Sequence, residues 1–263
     1  AVTDLLENLN PPQREAVRHT EGPLLVFAGA GSGKTRVITH RIAHLVRDHN
    51  VRPWNILAVT FTNKAAGEMR TRVGELLGEG FRDTWIGTFH ATCARLLRQY
   101  AEQAGLKKDF VIYDDGDQKA MVTRCVRDLN IDDKRFPIRA IQSKINAAKQ
   151  DCVGDDQYQP RDYFEDQVAK VYRLYEKKMA AASATDFGDL LFRTVRLLER
   201  NEEVALTLQN RFKYVLVDEF QDTNKVQYQL LRLMTGPSRN LCVVGDDDQS
   251  IYRWRGADVR NIL

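Results

Sequence analysis

The chain has 263 residues, 43% of them hydrophobic, enough to bury a sizeable core in one large domain or in one domain carrying an insertion. Charged residues make up 29% but nearly cancel, to a formal net charge of +3, so overall charge is no argument for a nucleic-acid partner and any basic surface must be local. No uncharged run reaches the roughly 18 residues of a membrane span, and no basic-then-apolar leader opens the chain; the expectation is a soluble, intracellular protein with no membrane partner.

The first apolar run, "LLVFA" at 24–28, is rich enough in branched residues to be a buried strand, and four more follow: "ILAVTF" at 56–61, "TWIGTF" at 84–89, "YVLVD" at 214–218 and "NLCVVGD" at 240–246. Between them, "KTRVITHRIAHLVRD" sets Val37, Ile38, Ile42, Leu45 and Val46 at helical spacing, and "KAAGEMRTRVGELL" does the same with Ala66, Met69, Val73 and Leu77. Strands alternating with helices predict an α/β fold: a parallel sheet flanked by helices, with its ligand at the carboxyl ends of the strands.

That alternation breaks between about residues 109 and 187. There "DDGDQKAMVTRCVRDL", "IRAIQSKINAAK" and "YFEDQVAKVYRLYEKKMAAA" are all helical in pattern, and no buried strand is evident. The expectation is an all-helical inserted subdomain at 109–187, dividing the α/β domain into 1–108 and 188–263. Cys93, Cys125, Cys152 and Cys242 are scattered without paired spacing, which points to reduced thiols rather than disulfides or zinc. The sequence starts without Met and stops at "VRNIL", as a fragment would.

"AGAGSGKT", residues 28–35, follows a predicted strand and opens a predicted helix, the context that a phosphate-binding loop requires. Gly29, Gly31 and Gly33 let backbone N–H groups turn inward around a phosphate, Lys34 would bridge the β- and γ-phosphates, and the Thr35 hydroxyl would hold Mg²⁺. Ala28, Ala30 and Ser32 complete the cradle; Ala28 stands where the usual pattern has glycine, which a methyl group tolerates at negative φ. The competing explanation, a glycine-rich turn that only joins strand to helix, does not account for the complete Gly-Lys-Thr ending.

Asp218 and Glu219 stand where the strand "YVLVD" runs out, and they would face the cradle if their strands are neighbours in the sheet. Asp218 would then hold Mg²⁺, and Glu219 would orient and deprotonate the attacking water in an in-line phosphoryl transfer. Without the cradle, the pair would read equally well as a solvated strand end.

Seven segments in order, "LNPPQREAV", "AGAGSGKTR", "AVTFTNKAA", "GTFH", "DFGDL", "VDEFQDTN" and "VGDDDQSIYRWRGAD", resemble the UvrD/PcrA/Rep group of superfamily 1 DNA helicases over essentially the whole chain. The resemblance implies a RecA-like P-loop ATPase domain using ATP and Mg²⁺, acting on single-stranded DNA and duplex junctions with 3′ to 5′ movement. It implies a second motor domain beyond this chain, repair or replication proteins as partners, and a bacterial-type, nucleoid-associated location in the cytoplasm. By the same resemblance Gln13 reads the adenine edge, because an amide both donates and accepts there; Arg36 lies against the base; Gln249 senses the γ-phosphate. Phe61, Thr62, Asn63 and Lys64, then Thr88 and His90, and finally Tyr252, Trp254 and Arg255 are the implied DNA contacts, with aromatic rings stacking on bases and polar groups reaching phosphates. From the residues alone, Phe61 and Trp254 also read as core, Gln13 as a solvent-facing side chain and His90 as a cap. The same residues also suit an ATP-switched DNA-binding or protein-displacing module, or a RecB-like helicase–nuclease subunit. Lys119, Arg124, Arg127, Arg139, Lys144 and Lys149 of the insertion suit a duplex-contacting face, but the acids among them make a solvated face the default.

Overall fold

The computed structural model describes residues 4–27, 33–220 and 223–245. In chain order the elements are α1 (Pro11–Arg18), β1 (Leu24–Phe27), α2 (Lys34–Asp48), β2 (Ile56–Thr60), α3 (Asn63–Leu77), β3 (Trp85–Thr88), α4 (Phe89–Gln99), β4 (Val111–Tyr113), α5 (Asp115–Asp128), α6 (Ile138–Gln150), α7 (Tyr163–Ala181), β5 (Ala184–Asp186), α8 (Phe187–Arg200), α9 (Glu202–Arg211), β6 (Tyr214–Val217), α10 (Lys225–Met234) and β7 (Leu241–Gly245). They divide into two compact units, one of residues 1–92, 201–223 and 228–263, the other of residues 93–200 and 224–227.

The first unit is built on a five-stranded parallel sheet in the order β1-β7-β6-β2-β3. Every residue of β2 and of β7 is buried, as expected where helices cover both faces of a parallel sheet. Alternate strand residues, Ile56 and Ala58, Leu216, Cys242 and Val244, pack with Ile38, Ile42 and Leu45 of α2 and with Met69 and Val73 of α3 in one apolar cluster. The predicted helical stripes therefore face the sheet. The strand carrying the acids is not the neighbour of the strand leading to the phosphate loop: β7 lies between β1 and β6. Phe27 is level with Gly245 and Val217 with Val243, so β6 ends two residues, about 7 Å, short of β1, and the two strands lie two strand spacings or about 10 Å apart.

The second unit is not all helical. β4 and β5 pair in parallel, Val111 with Ala184 and Tyr113 with Asp186. Each has three residues, too few to show a period, and β5 ends on a buried polar pair, Thr185 and Asp186. The unit also extends beyond 109–187, because α8 packs on α6 and on β5. Its apolar centre comes from Met121, Val122 and Cys125 of α5, Ile141 and Ile145 of α6, and Val168, Val171, Tyr172, Tyr175 and Met179 of α7. Lys149 is wholly buried among carboxylates, with Nζ 2.8 Å from Glu176 Oε1, 2.8 Å from Asp186 Oδ2 and 2.9 Å from Asp189 Oδ1. It therefore leaves the group of six basic residues considered for a duplex-facing surface. The four cysteines are free thiols, three of them buried.

Candidate functional site

The carboxyl edge of the five-stranded sheet gathers the described part of the site. α2 starts immediately after the glycine loop, and its N-cap is Gly33 at φ 78°, with no side-chain cap and no acid in the first turn. By contrast α1, α3, α5 and α7 are capped by Asn10, Thr62, Asp114 and Asp162. The first turn of α2, like that of α6, therefore has N–H groups and a partial positive charge that no side chain caps. Thr35, in that turn, is half-buried. Ala28, Gly29, Ala30, Gly31 and Ser32 lie outside the described residues, as does the side chain of Lys34.

α1 brings Gln13 to the same place. Asn10 and two prolines start the helix, and Asn10 and Gln13 form a reciprocal cap: Gln13 N–H donates to Asn10 Oδ1 at 3.0 Å, and Asn10 N–H donates to Gln13 Oε1 at 3.0 Å. Such a box orients the carboxamide, because its oxygen is engaged and its NH₂ must point the other way. That NH₂ lies against Gly33: a Cβ there would come within 2.5 Å of Gln13 Nε2. Gln13 is half-buried rather than solvent-facing. Arg36 is exposed on α2, and its Nη1 donates to Asn8 O at 3.3 Å, so it faces the segment that leads into α1.

Asp218 follows β6 directly, is 6% exposed, and its N–H donates to Val59 O at 3.4 Å. Glu219 has φ 50°, a left-handed conformation that side chains with a Cβ rarely adopt. The cost is of order 1–2 kcal/mol, and such strain concentrates at functional turns. Here it turns the chain sharply at the end of the strand. Among the described residues no group of three or more His, Cys, Asp or Glu side chains gathers as a metal cluster. The hydroxyl of Thr35 and the carboxylate of Asp218 are hard oxygen donors of the kind Mg²⁺ takes, and Mg²⁺ characteristically completes its shell with phosphate and water rather than with a protein cage.

On the other half of the sheet edge, β2 and β3 deliver the implied DNA contacts side by side, Thr60 level with Thr88. Phe61 and Phe89, the residues that follow directly on each strand, touch with ring centroids 5.3 Å apart. Phe89 is buried, whereas Phe61 keeps part of its surface. Thr62, Asn63 and Lys64 are exposed at the start of α3, where Thr62 Oγ1 accepts from Ala65 N–H at 3.1 Å. Thr88 is different: it is buried and its Oγ1 accepts from Ala91 N–H at 3.0 Å, which makes it a cap for α4. His90 is solvent-exposed, yet enough protein surrounds its ring for desolvation to lower its pKa. Gln249, Tyr252, Trp254 and Arg255 lie outside the described residues, as do Asp222 and the acids Asp246, Asp247 and Asp248; β7, which leads to the last of these, ends at the same edge.

One candidate escaped the sequence reading. In "DFGDL" the acids are buried and the aromatic is not: Asp186 and Asp189 are 2% and 1% exposed, Phe187 is 51% exposed. An apolar ring kept at the surface while its charged neighbours are internal is the inverse of ordinary burial. The sequence-level signals are its place between two acids and its lying within "DFGDL", one of the segments that carry the family resemblance.

Residues 9–263 match the UvrD/REP helicase N-terminal domain family. The chain is 48% identical over 261 residues to the ATP-dependent DNA helicase PcrA of Bacillus subtilis, an alignment covering 98% of this chain and 35% of that protein. It is 49% identical to proteins of the same name from Staphylococcus epidermidis and Staphylococcus aureus, covering 98% of this chain and 36% of each. The chain therefore spans about a third of the length of these relatives. With a family match over nearly its whole length and a five-stranded parallel sheet flanked by helices, the chain belongs to the UvrD/REP helicase N-terminal domain family.

Proposed function

We propose that the chain is the first ATPase domain of an ATP-driven DNA helicase, a single-stranded DNA translocase that opens duplexes. The observation carrying this is the gathering, at one sheet edge, of an anion-ready helix start at Gly33, the Asp218–Glu219 strand end, and the Phe61–Lys64 segment on the strand next to it. In this reading the loop from Ala28 to Thr35 holds the triphosphate, Lys34 neutralises its developing charge, and Gln13 and Arg36 hold the base. Thr35 and Asp218 would hold Mg²⁺, which when bound supplies neutralisation of the phosphate oxygens. Glu219 orients the attacking water and accepts its proton; Gln249 senses the γ-phosphate. Phe61, Tyr252 and Trp254 offer stacking faces, and Thr62, Asn63, Lys64 and Arg255 offer contacts to the backbone of a DNA strand, an arrangement blind to base sequence. His90 stays a candidate for polar contact, and Thr88 supports its loop by capping.

The remaining residues of the relatives would supply a second motor domain, and a mostly helical unit interrupting the ATPase domain would serve the DNA junction. The family resemblance implies 3′ to 5′ movement and a setting in repair or replication. Glu219→Gln in the protein extended through its second domain tests the reading. DNA-stimulated ATP turnover should fall by about 10²-fold or more while nucleotide binding persists, and unwinding of 3′-tailed duplexes should be lost with it. Turnover that survives the substitution would remove Glu219 from the chemistry, and protein displacement without strand separation would favour the stripping activity.

A further inference from the structure

We propose that Arg41 is the positioning residue for nucleotide-base selectivity: its buried guanidinium clamps the carboxyl end of α1 onto α2 and thereby holds the Gln13 carboxamide beside Gly33, at the start of α2. This rests on the reading of Gln13 as the group that recognises the adenine edge.

Arg41 is 1% exposed and among the largest fully buried side chains of the chain. Its hydrogen-bond acceptors are backbone carbonyls: Nη1 donates to Ala16 O at 3.3 Å and to His19 O, and Nη2 to Thr20 O at 3.4 Å. These oxygens end α1 and the turn after it, where the helix dipole leaves partial negative charge. A planar fork of five donors suits several carbonyls converging from one side, and a lysine or glutamine offers fewer donors in a poorer geometry. Burial lowers the pKa of Arg41, opposed by Cys242, Tyr214 and Glu21. Glu21 is held in turn by the Tyr214 hydroxyl and by Asn240 Nδ2, while Gly22 N–H donates to Asn240 Oδ1 at 2.7 Å. The connection from α1 to β1 is thus pinned from both sides.

α1 needs such pinning because it has only eight residues, two of them buried apolar ones, Ala16 and Val17. A helix that short does not hold its shape or place by itself. Gln13 is three residues, about 4.5 Å along the axis, from the first carbonyl that Arg41 clamps. At the amino end the reciprocal Asn10–Gln13 cap fixes the carboxamide to α1, and Nε2 fills the space beside Gly33 that a Cβ there would need. The phosphate-binding groups sit on α2 and its preceding loop, so loosening α1 should affect the base end of a nucleotide and spare its phosphates.

The test is equilibrium titration of the chain with fluorescent ATP and GTP analogues and with inorganic tripolyphosphate, for wild type, Arg41→Met, Gln13→Ala and the double variant. Arg41→Met should weaken ATP binding about ten-fold, the equivalent of one lost hydrogen bond. GTP and tripolyphosphate should hold within about two-fold, and the double variant should discriminate no worse than Gln13→Ala alone. Equal weakening of all three ligands, or an unchanged ATP-to-GTP ratio while Gln13→Ala abolishes it, overturns the proposal and leaves Arg41 a brace of the fold. If Gln13→Ala itself leaves the ratio unchanged, base recognition by Gln13 fails and the positioning role falls with it, a separately visible result. Should Arg41→Met not fold, Arg41→Lys and Arg41→Gln carry the test: the ratio should fall in that order as the α1 amides exchange faster, and a flat ratio across the series overturns the proposal.

Discussion

Phe61 lies against Phe89 with ring centroids 5.3 Å apart and planes inclined by 59°, and the two differ in solvent access. Phe89 is 2% exposed and forms a floor; Phe61, half-buried above it, retains a face for something else. Both follow directly on paired residues of adjacent strands, Thr60 and Thr88, which sets the two rings side by side at the sheet edge.

The consequence for DNA is direct. Phe61→Ala should weaken binding of an unstructured oligothymidine by about 1–3 kcal/mol, read by fluorescence anisotropy, with little change in ATP affinity. A loss smaller than two-fold, well under the range for a stacked base, would take Phe61 out of the strand's path.

Glu219 at φ 50° carries backbone strain that glycine would not. Glu219→Gly should therefore leave urea stability unchanged or raise it by up to about 1 kcal/mol, while abolishing ATP turnover. If stability instead drops by more than that, the carboxylate holds the fold and the strain is offset locally.

Lys149 is the lone cation in contact with all three carboxylates of Glu176, Asp186 and Asp189 among the described residues, and Asp186 Oδ2 also accepts from the Tyr175 hydroxyl at 2.7 Å and from Gln118 Nε2 at 3.2 Å. Lys149→Met should destabilise the helical unit by about 3–5 kcal/mol, because it strands buried negative charge. A loss below about 1 kcal/mol would mean that the carboxylates take up protons at little cost.

That cluster also predicts a pH dependence. Burial raises Glu176 from 4.5 to about 7, against the pull of Lys149. The folded chain therefore holds a proton that the unfolded chain has released, and Glu176 contributes a destabilisation that grows as pH rises from 4.5 and is complete above 7. Asp189 is raised as well, by burial, and acts in the same direction. Asp186 is lowered, since Lys149 and Tyr175 outweigh its burial, so its contribution is present above 3.8 and lost on further acidification. Glu176→Gln should flatten the fall in stability between pH 5 and 8 seen by chemical denaturation, and a slope equal to that of wild type would assign it to another group.

The strands, the long helices and the position of the phosphate loop are legible in the chain itself, because local burial leaves a local period. Five apolar runs became β1, β2, β3, β6 and β7 with ends shifted by a residue at most, and the stripes at Ile38, Ile42 and Leu45 and at Met69 and Val73 face the sheet they were expected to face. Asn10 followed by two prolines marks the start of α1. Periodicity says that a residue is buried but not against what, so β7 standing between β1 and β6 was decided by long-range strand order. The same holds for side chains of one type. Lys144 and Lys149 lie five positions apart on α6, yet the first has a side chain 40% exposed and the second 0%. What separates them is the convergence of Glu176, Asp186 and Asp189 from α7, β5 and α8. A charge can be buried only where opposite charges meet it, and that meeting exists only once distant segments have been brought together.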